Sequence, residues 1–253
     1  MTDYAWFAPL TLKACHFHPN DDTIQSITER LFYVRWVDHA VSAGFDDTLA
    51  VTAIHFPADT SVSGILSQPT QHDDRRTAGI DMHRRIECLL NGCPMSGPLY
   101  PQILSYHQDI MEQGFIPWRT EMAIRSSADL RIVGVVDALF MRTGTDDDDD
   151  GTLRLYMKDW KYSRDISTHV HHYQFQLNMY KYILETQYVN SLPFYVGTRT
   201  YTNIQIQSME LVMFHEDNET YEVITVSDIQ PHVRSFVADR KKQLAATKNK
   251  CNL

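Results

Sequence analysis

The chain has 253 residues, 43% of them hydrophobic and 22% charged, which is enough apolar material for one large domain and unlike a disordered chain. Its net charge is −9, and without the aspartate run Asp146–Asp150 the excess of acids falls to four. That balance gives no sign of a nucleic-acid surface by itself, although divalent ions at a local site would invert the sign there.

In chain order, the N-terminal MTDYAWFAPLTLKACHFHP has neither the basic-then-apolar order of a secretory signal nor the arginines of a transit helix. No stretch approaches the ~20 apolar residues of a membrane span, so a soluble intracellular protein, nuclear or cytoplasmic, is expected. Apolar residues Ile24, Ile27, Leu31, Val34 and Val37 predict an amphipathic helix within Asp21–Gly44, followed by a Pro-, Ser- and Thr-rich loop from Pro57 to Asp74. A second helix is predicted over Arg75–Asn91, stopped by Gly92 and Pro94, and a third over Tyr100–Gln113. Pro117–Ser126, Arg131–Arg142 and Leu153–Tyr162 then read as strands, the last two joined by turn residues that include Gly144, the aspartate run and Gly151. Tyr173, Leu177, Tyr180, Ile183 and Leu184 mark a helix, two or three strands follow between Pro193 and Val226, and a helix from Asp228 to Ala246 closes the chain. The order predicts an α/β fold with a mixed β-sheet flanked by helices. Residues 1–74 are expected to form an N-terminal helical extension and loop packed on a core of residues 75–253, in one continuous structural domain.

Four cysteines (Cys15, Cys88, Cys93, Cys251) form no C-x-x-C pair, which argues against a zinc ribbon, a disulfide scaffold or a four-cysteine cluster. No G-K-[S/T] occurs, so no nucleotide-hydrolysing phosphate loop is expected. The strand I-V-G-V-V-D-A-L-F places Asp137 among apolar residues, where a charge needs a reason. On the next strand, Asp159 and Lys161 are two apart and leave the same face. The midpoint of 137 and 159 falls at 148, inside the aspartate run, so a hairpin turning there makes the two aspartates cross-strand neighbours. Two carboxylates beside a lysine suit metal-assisted phosphodiester cleavage, with acids holding a hard cation and the lysine placing water and stabilising charge. The competing reading is a satisfied ion pair of Asp137 or Asp159 with Lys161 or Lys158. Further along, Gly79, His83 and Glu87 share a helix face at spacing four, as do Gln176 and Tyr180. His83 and Glu121 read equally as packed or solvated residues, and Gln176 and Tyr180 as surface and core.

The ordered set Gly79–His83 (G-x-x-x-H), Glu121, Gly134–Asp137 (G-x-x-D), Asp159-Trp160-Lys161 and Gln176–Tyr180 (Q-x-x-x-Y) resembles the RecB-like branch of the PD-(D/E)XK nucleases. The phrases T-A-G-I-D-M-H-R-R-I-E, Q-L-N-M-Y-K-Y-I-L-E and S-M-E-L-V-M-F-H carry the likeness furthest, from about Thr77 to His215. The branch includes mitochondrial genome maintenance exonucleases and stand-alone nucleases of large DNA viruses and phages, whose setting would be the host cell. The resemblance implies a restriction-endonuclease-like core and a metal-dependent deoxyribonuclease, an exonuclease on single-stranded DNA or duplex ends, in replication, recombination or repair. It implies Mg²⁺ or Mn²⁺ on His83, Asp137, Asp159 and the Trp160 carbonyl, with Glu121 directly or through water. Lys161 would be the catalytic lysine, and Gln176 and Tyr180 would contact DNA or orient the substrate. Val136 stands where the family name has proline, and the cysteines of iron–sulfur relatives are missing, so no such cluster is expected. The alternatives are an RNA endonuclease of this fold and a catalytically silent nucleic-acid-binding subunit. A separate helicase or polymerase is the expected kind of partner.

Overall fold

The computed structural model describes residues 49–50, 73–90, 101–127, 129–143, 150–166, 169–188, 194–196 and 199–251. The predicted helix at 21–44 and most of the loop after it lie outside them. The elements are β1 (Leu49–Ala50), α1 (Asp73–Leu90), α2 (Pro101–Glu112), β2 (Phe115–Arg125), β3 (Ile132–Arg142) and β4 (Thr152–Tyr162). After them come α3 (Val170–Ile183) with a π-helical turn Leu184–Tyr188, β5 (Phe194–Val196), β6 (Arg199–Tyr201), β7 (Asn203–Phe214), β8 (Glu222–Thr225) and α4 (Gln230–Cys251). Each predicted element after residue 74 is present within a few residues. Four strands replace the expected two or three after Pro193, because β5 and β6 are three-residue arms of a small hairpin too short to show a period.

β1, β2, β3, β4, β7 and β8 form one six-stranded mixed sheet. β3 is antiparallel to β2 and β4, β4 is parallel to β7 across the α3 crossover, and β8 is antiparallel to β7. The β3–β4 register, Ala138↔Lys158, Leu139↔Met157 and Phe140↔Tyr156, is the one that the midpoint at 148 requires. Pairing ends there. Val133, five residues before Ala138, pairs with Arg125 of β2 on one edge and with Ala50 of β1 on the other, so β1 occupies the edge of β3 that β4 has left. The two central strands therefore fork at Asp137 and Asp159. Residues 49–50, placed by sequence in a helical extension, are instead a strand of the sheet; two residues are too few for periodicity to detect.

Side chains alternate along β4. Leu153, Leu155 and Met157 join the cluster formed with Leu177 and Met179 of α3 and Val233 and Val237 of α4. Trp160 joins the opposite cluster with Met82 and Ile86 of α1 and Ile103 and Tyr106 of α2. Asp159 and Lys161 follow the odd residues, so they lie on the α3 side. β3 does not keep its alternation: Ile132, Val136 and Leu139 belong to the α3 cluster, whereas Ala138 and Phe140 belong to the other. The parity changes at Asp137. Opposite it in the β2–β3 register, Glu121 has φ 50, left-handed backbone in the middle of a strand. Such a residue costs on the order of 1 kcal/mol, and irregularities of this kind re-aim side chains beside functional sites.

Gly134 is held by packing. A Cβ there would lie 2.5 Å from Cε1 of the buried Tyr180 ring and 3.2 Å from its Cζ and hydroxyl oxygen. Gly134→Ala is expected to lower stability by about 1–3 kcal/mol, read as a fall in Tm; an unchanged Tm would mean that α3 does not seat on β3 through this ring.

Candidate metal centre

The fork of β3 and β4, the face of α1 and the face of α3 bring every sequence-predicted site residue to one place. Asp137 fills the gap left where strand pairing stops. Its Oδ2 accepts the backbone N–H of Trp160 at 2.7 Å, so a side chain satisfies a β4 amide that the ladder no longer serves. His83, a turn past Gly79 on α1, lies above the same carboxylate. Its Nδ1 is 3.6 Å from Asp137 Oδ2 and 3.4 Å from Glu121 Oε1, while its Nε2 is 3.1 Å from the Trp160 carbonyl oxygen. Both ring nitrogens thus face oxygen acceptors, a setting that fits the doubly protonated imidazolium.

Electrostatics agree with that geometry. Burial works against the charge of His83, but Asp137 and Glu121 outweigh it and hold the imidazole at about 9. Burial likewise raises the Asp137 carboxyl against the pull of His83 and Lys161. Asp159 is raised to about 6, by burial first and by the charge of Asp137, with Lys161 opposing. Burial acts against the Lys161 ammonium, yet Asp159 and Asp137 raise it overall.

Asp159, 2% exposed, is gripped from two sides. Its Oδ2 is 2.5 Å from Lys161 Nζ, and its Oδ1 is 3.4 Å from the Gln176 amide nitrogen, which also donates to the Tyr180 hydroxyl at 3.1 Å. Gln176 and Tyr180 are 5% and 1% exposed. They reach the site from inside the fold, and neither offers a surface to a substrate here. The competing ion-pair reading is met in part. Lys161 does pair with Asp159, but Lys158 turns away to Glu210 and lies 4.6 Å from the centroid of the Phe115 ring. Asp137 and Glu121 both face His83, at 3.6 and 3.4 Å from its Nδ1.

Among the described residues, His83, Glu121 and Asp137 each present a ligand atom, and these atoms lie within 4.8 Å of one another. Two carboxylate oxygens and one imidazole nitrogen suit a hard divalent cation, with nitrogen favouring Mn²⁺ over Mg²⁺. Asp159 stands beside this trio rather than in it, its oxygens committed to Lys161 and Gln176. Neither the left-handed Glu121 backbone nor the Lys161 ammonium over the Tyr173 ring at 4.5 Å was foreseen from the residue pattern. A tyrosine three residues before Gln176 on one helix face was the available signal for the latter.

No protein-family model and no curated protein matches this chain. Solved structures that match it include an alkaline exonuclease (LHK-Exo) from Laribacter hongkongensis, at 13% identity and a TM-score of 0.33, over 83% of this chain and 96% of that one. The same enzyme in complex with dAMP matches at 14% identity and a TM-score of 0.31, with the same coverage. Among the described residues no helix is long and apolar enough to cross a membrane.

Proposed function

We propose that the chain is a metal-dependent nuclease with a PD-(D/E)XK-like core, hydrolysing DNA phosphodiester bonds at the β3–β4 fork. The observation that supports this reading most is the His83–Glu121–Asp137 trio, whose ligand atoms lie within 4.8 Å of one another, set beside the buried Asp159–Lys161 pair. Carboxylate oxygens that converge with an imidazole nitrogen in this way match the donor set of a hard divalent cation. DNA rather than RNA, and ends rather than internal sites, follow from the likeness of the G-x-x-x-H, G-x-x-D, D-W-K and Q-x-x-x-Y set to the RecB-like branch.

His83, Glu121 and Asp137 would hold Mn²⁺ or Mg²⁺, and Asp159 and the Trp160 carbonyl would join them on giving up their present contacts with Lys161, Gln176 and His83. When bound, the cation supplies Lewis-acid stabilisation of the phosphate oxygens. Lys161 acts at the scissile phosphate, where its ammonium orients the attacking water and stabilises developing negative charge. Asp159 keeps that ammonium in place, and Gln176 keeps Asp159 in place. The role proposed for Gln176 and Tyr180 is therefore orientation of the site from behind, consistent with their burial. A separate helicase or polymerase would supply strand opening or synthesis.

The direct test is cleavage of labelled single-stranded DNA, duplex DNA and RNA with Mg²⁺ or Mn²⁺. DNA degraded from its ends only in the presence of metal is expected; no cleavage of any substrate, with either ion, would overturn the reading. Calorimetry provides a second test. Below about 9 the imidazolium of His83 occupies the position that the cation needs, so metal must displace its proton. Mn²⁺ affinity is expected to rise roughly tenfold per pH unit between about 6.5 and 9, as for release of one proton, and to fall sharply in Asp137→Asn. Affinity flat across that range would place the metal away from His83.

A further inference from the structure

Lys161 has a neighbour besides Asp159. Its Nζ lies 4.5 Å from the centroid of the Tyr173 ring, which the first turn of α3 carries. The ammonium is thus set between a carboxylate oxygen at 2.5 Å and an aromatic face. A lysine stem is flexible and its ammonium has no preferred direction. One carboxylate alone leaves the head free to swing around it, whereas attraction to a ring face as well confines it to one arc.

The ring is itself held. His169 meets it edge-on with centroids 6.3 Å apart and planes at 67°, and His172 does so at 5.8 Å and 66°. Its lower part packs on the core cluster under α3. Three residues later on the same helix, Gln176 reaches Asp159. α3 therefore sends side chains one turn apart to the two members of the pair, Tyr173 to the lysine and Gln176 to the aspartate.

We propose that Tyr173 is a positioning residue of the nuclease site: its ring fixes the Lys161 ammonium beside Asp159, and it acts through Lys161 without touching substrate. The inference rests on the nuclease reading. It assigns the contact to the aromatic face rather than to the hydroxyl, so phenylalanine replaces tyrosine and leucine, equally apolar, does not.

The experiment compares Tyr173→Leu and Tyr173→Phe with the parental protein in two measurements. The first is single-turnover cleavage of labelled single-stranded DNA, with DNA affinity measured in Ca²⁺. Tyr173→Leu is expected to lose about tenfold in rate, the range of one partly desolvated cation–ring contact, at unaltered affinity, and Tyr173→Phe to recover most of that loss. The second measurement needs no activity. In protein carrying ¹³C-labelled lysine side chains, the Lys161 ε-methylene signal, assigned by its disappearance in Lys161→Arg, should lie upfield under the ring current. The signal should stay upfield in Tyr173→Phe and return to the common lysine position in Tyr173→Leu. An ordinary Lys161 signal in the parental protein overturns the proposal. So does a Tyr173→Leu variant that cleaves at the parental rate, or one that loses DNA affinity instead of rate, which would make the ring a substrate contact. If the parental protein fails to cleave while the spectra behave as expected, the nuclease reading fails and the brace on Lys161 stands.

Discussion

Lys161→Ala is expected to lower the single-turnover rate of DNA cleavage by ~100-fold or more, while DNA binding in Ca²⁺ survives. The ammonium serves the transition state, where charge grows on the phosphate, more than it serves the bound ground state. The same substitution should also weaken the fold. Asp159 is almost wholly buried and its Oδ2 faces this ammonium at 2.5 Å, so the variant leaves a buried carboxylate without its cation. A loss on the order of 3 kcal/mol is expected, as for breaking a buried pair by removing one partner. Parental cleavage by Lys161→Ala would remove the D-W-K strand from the active site and make a binding subunit the better description.

Asp159→Asn is expected to abolish cleavage and leave stability unchanged or raised at neutral pH and above. Burial and the neighbouring charge of Asp137 both work against the Asp159 carboxylate, and this variant removes that charge. The pH dependence has a definite sign. Asp159 is raised to about 6 from the ordinary 3.8, so the folded state holds its proton more tightly than the unfolded chain does. The stabilisation from that proton is complete below 3.8 and is lost as pH rises through about 6. Asparagine, always neutral, should therefore gain on the parental protein above pH 6, with the advantage fading as pH falls to 3.8. Thermal melts across that range measure it. A variant that unfolds at every pH would show that the acid is structural. Combining the changes separates the roles further: Lys161→Ala with Asp159→Asn should recover much of the stability lost by Lys161→Ala alone, and none of the activity.

β4 was the most legible part of the chain because it is regular. Strict alternation put Asp159 and Lys161 on one face, and counting across the turn put Asp137 opposite Asp159, in the right register but one step beyond Ala138 and Lys158, where pairing ends. The helices after residue 74 were legible through their apolar spacing and their Gly and Pro stops. Less of the site's inner construction could be read. Positions 121 and 137 carry neither glycine nor proline, so nothing in the residue types announced a break in the pleat there. The division of labour on α3 was also hidden, since a stripe containing Gln176 and Tyr180 does not say whether it faces substrate or the back of an aspartate. The two motif glycines differ in what they do. Gly134 is demanded by the Tyr180 ring, whereas a Cβ at Gly79 would make only an ordinary 3.8 Å contact with Tyr162.

The change of parity at Asp137 bears on how this stretch can vary. Val136 and Leu139 point to one layer and Ala138 to the other, so the chain spends one residue more than a regular strand needs between them. Removing any single residue from 136 to 138 would restore an even pleat. The core on both sides would then be reached at the cost of turning the carboxylate out of the fork, since a one-residue slip exchanges the faces of a strand. Apart from Gly134 and Asp137, side chains here can be exchanged for others of similar volume, but the number of residues cannot change. A library of substitutions across 132–140 that spares those two should accordingly hold many folded members that bind Mn²⁺, and a library of single deletions over 136–138 should hold folded ones that do not.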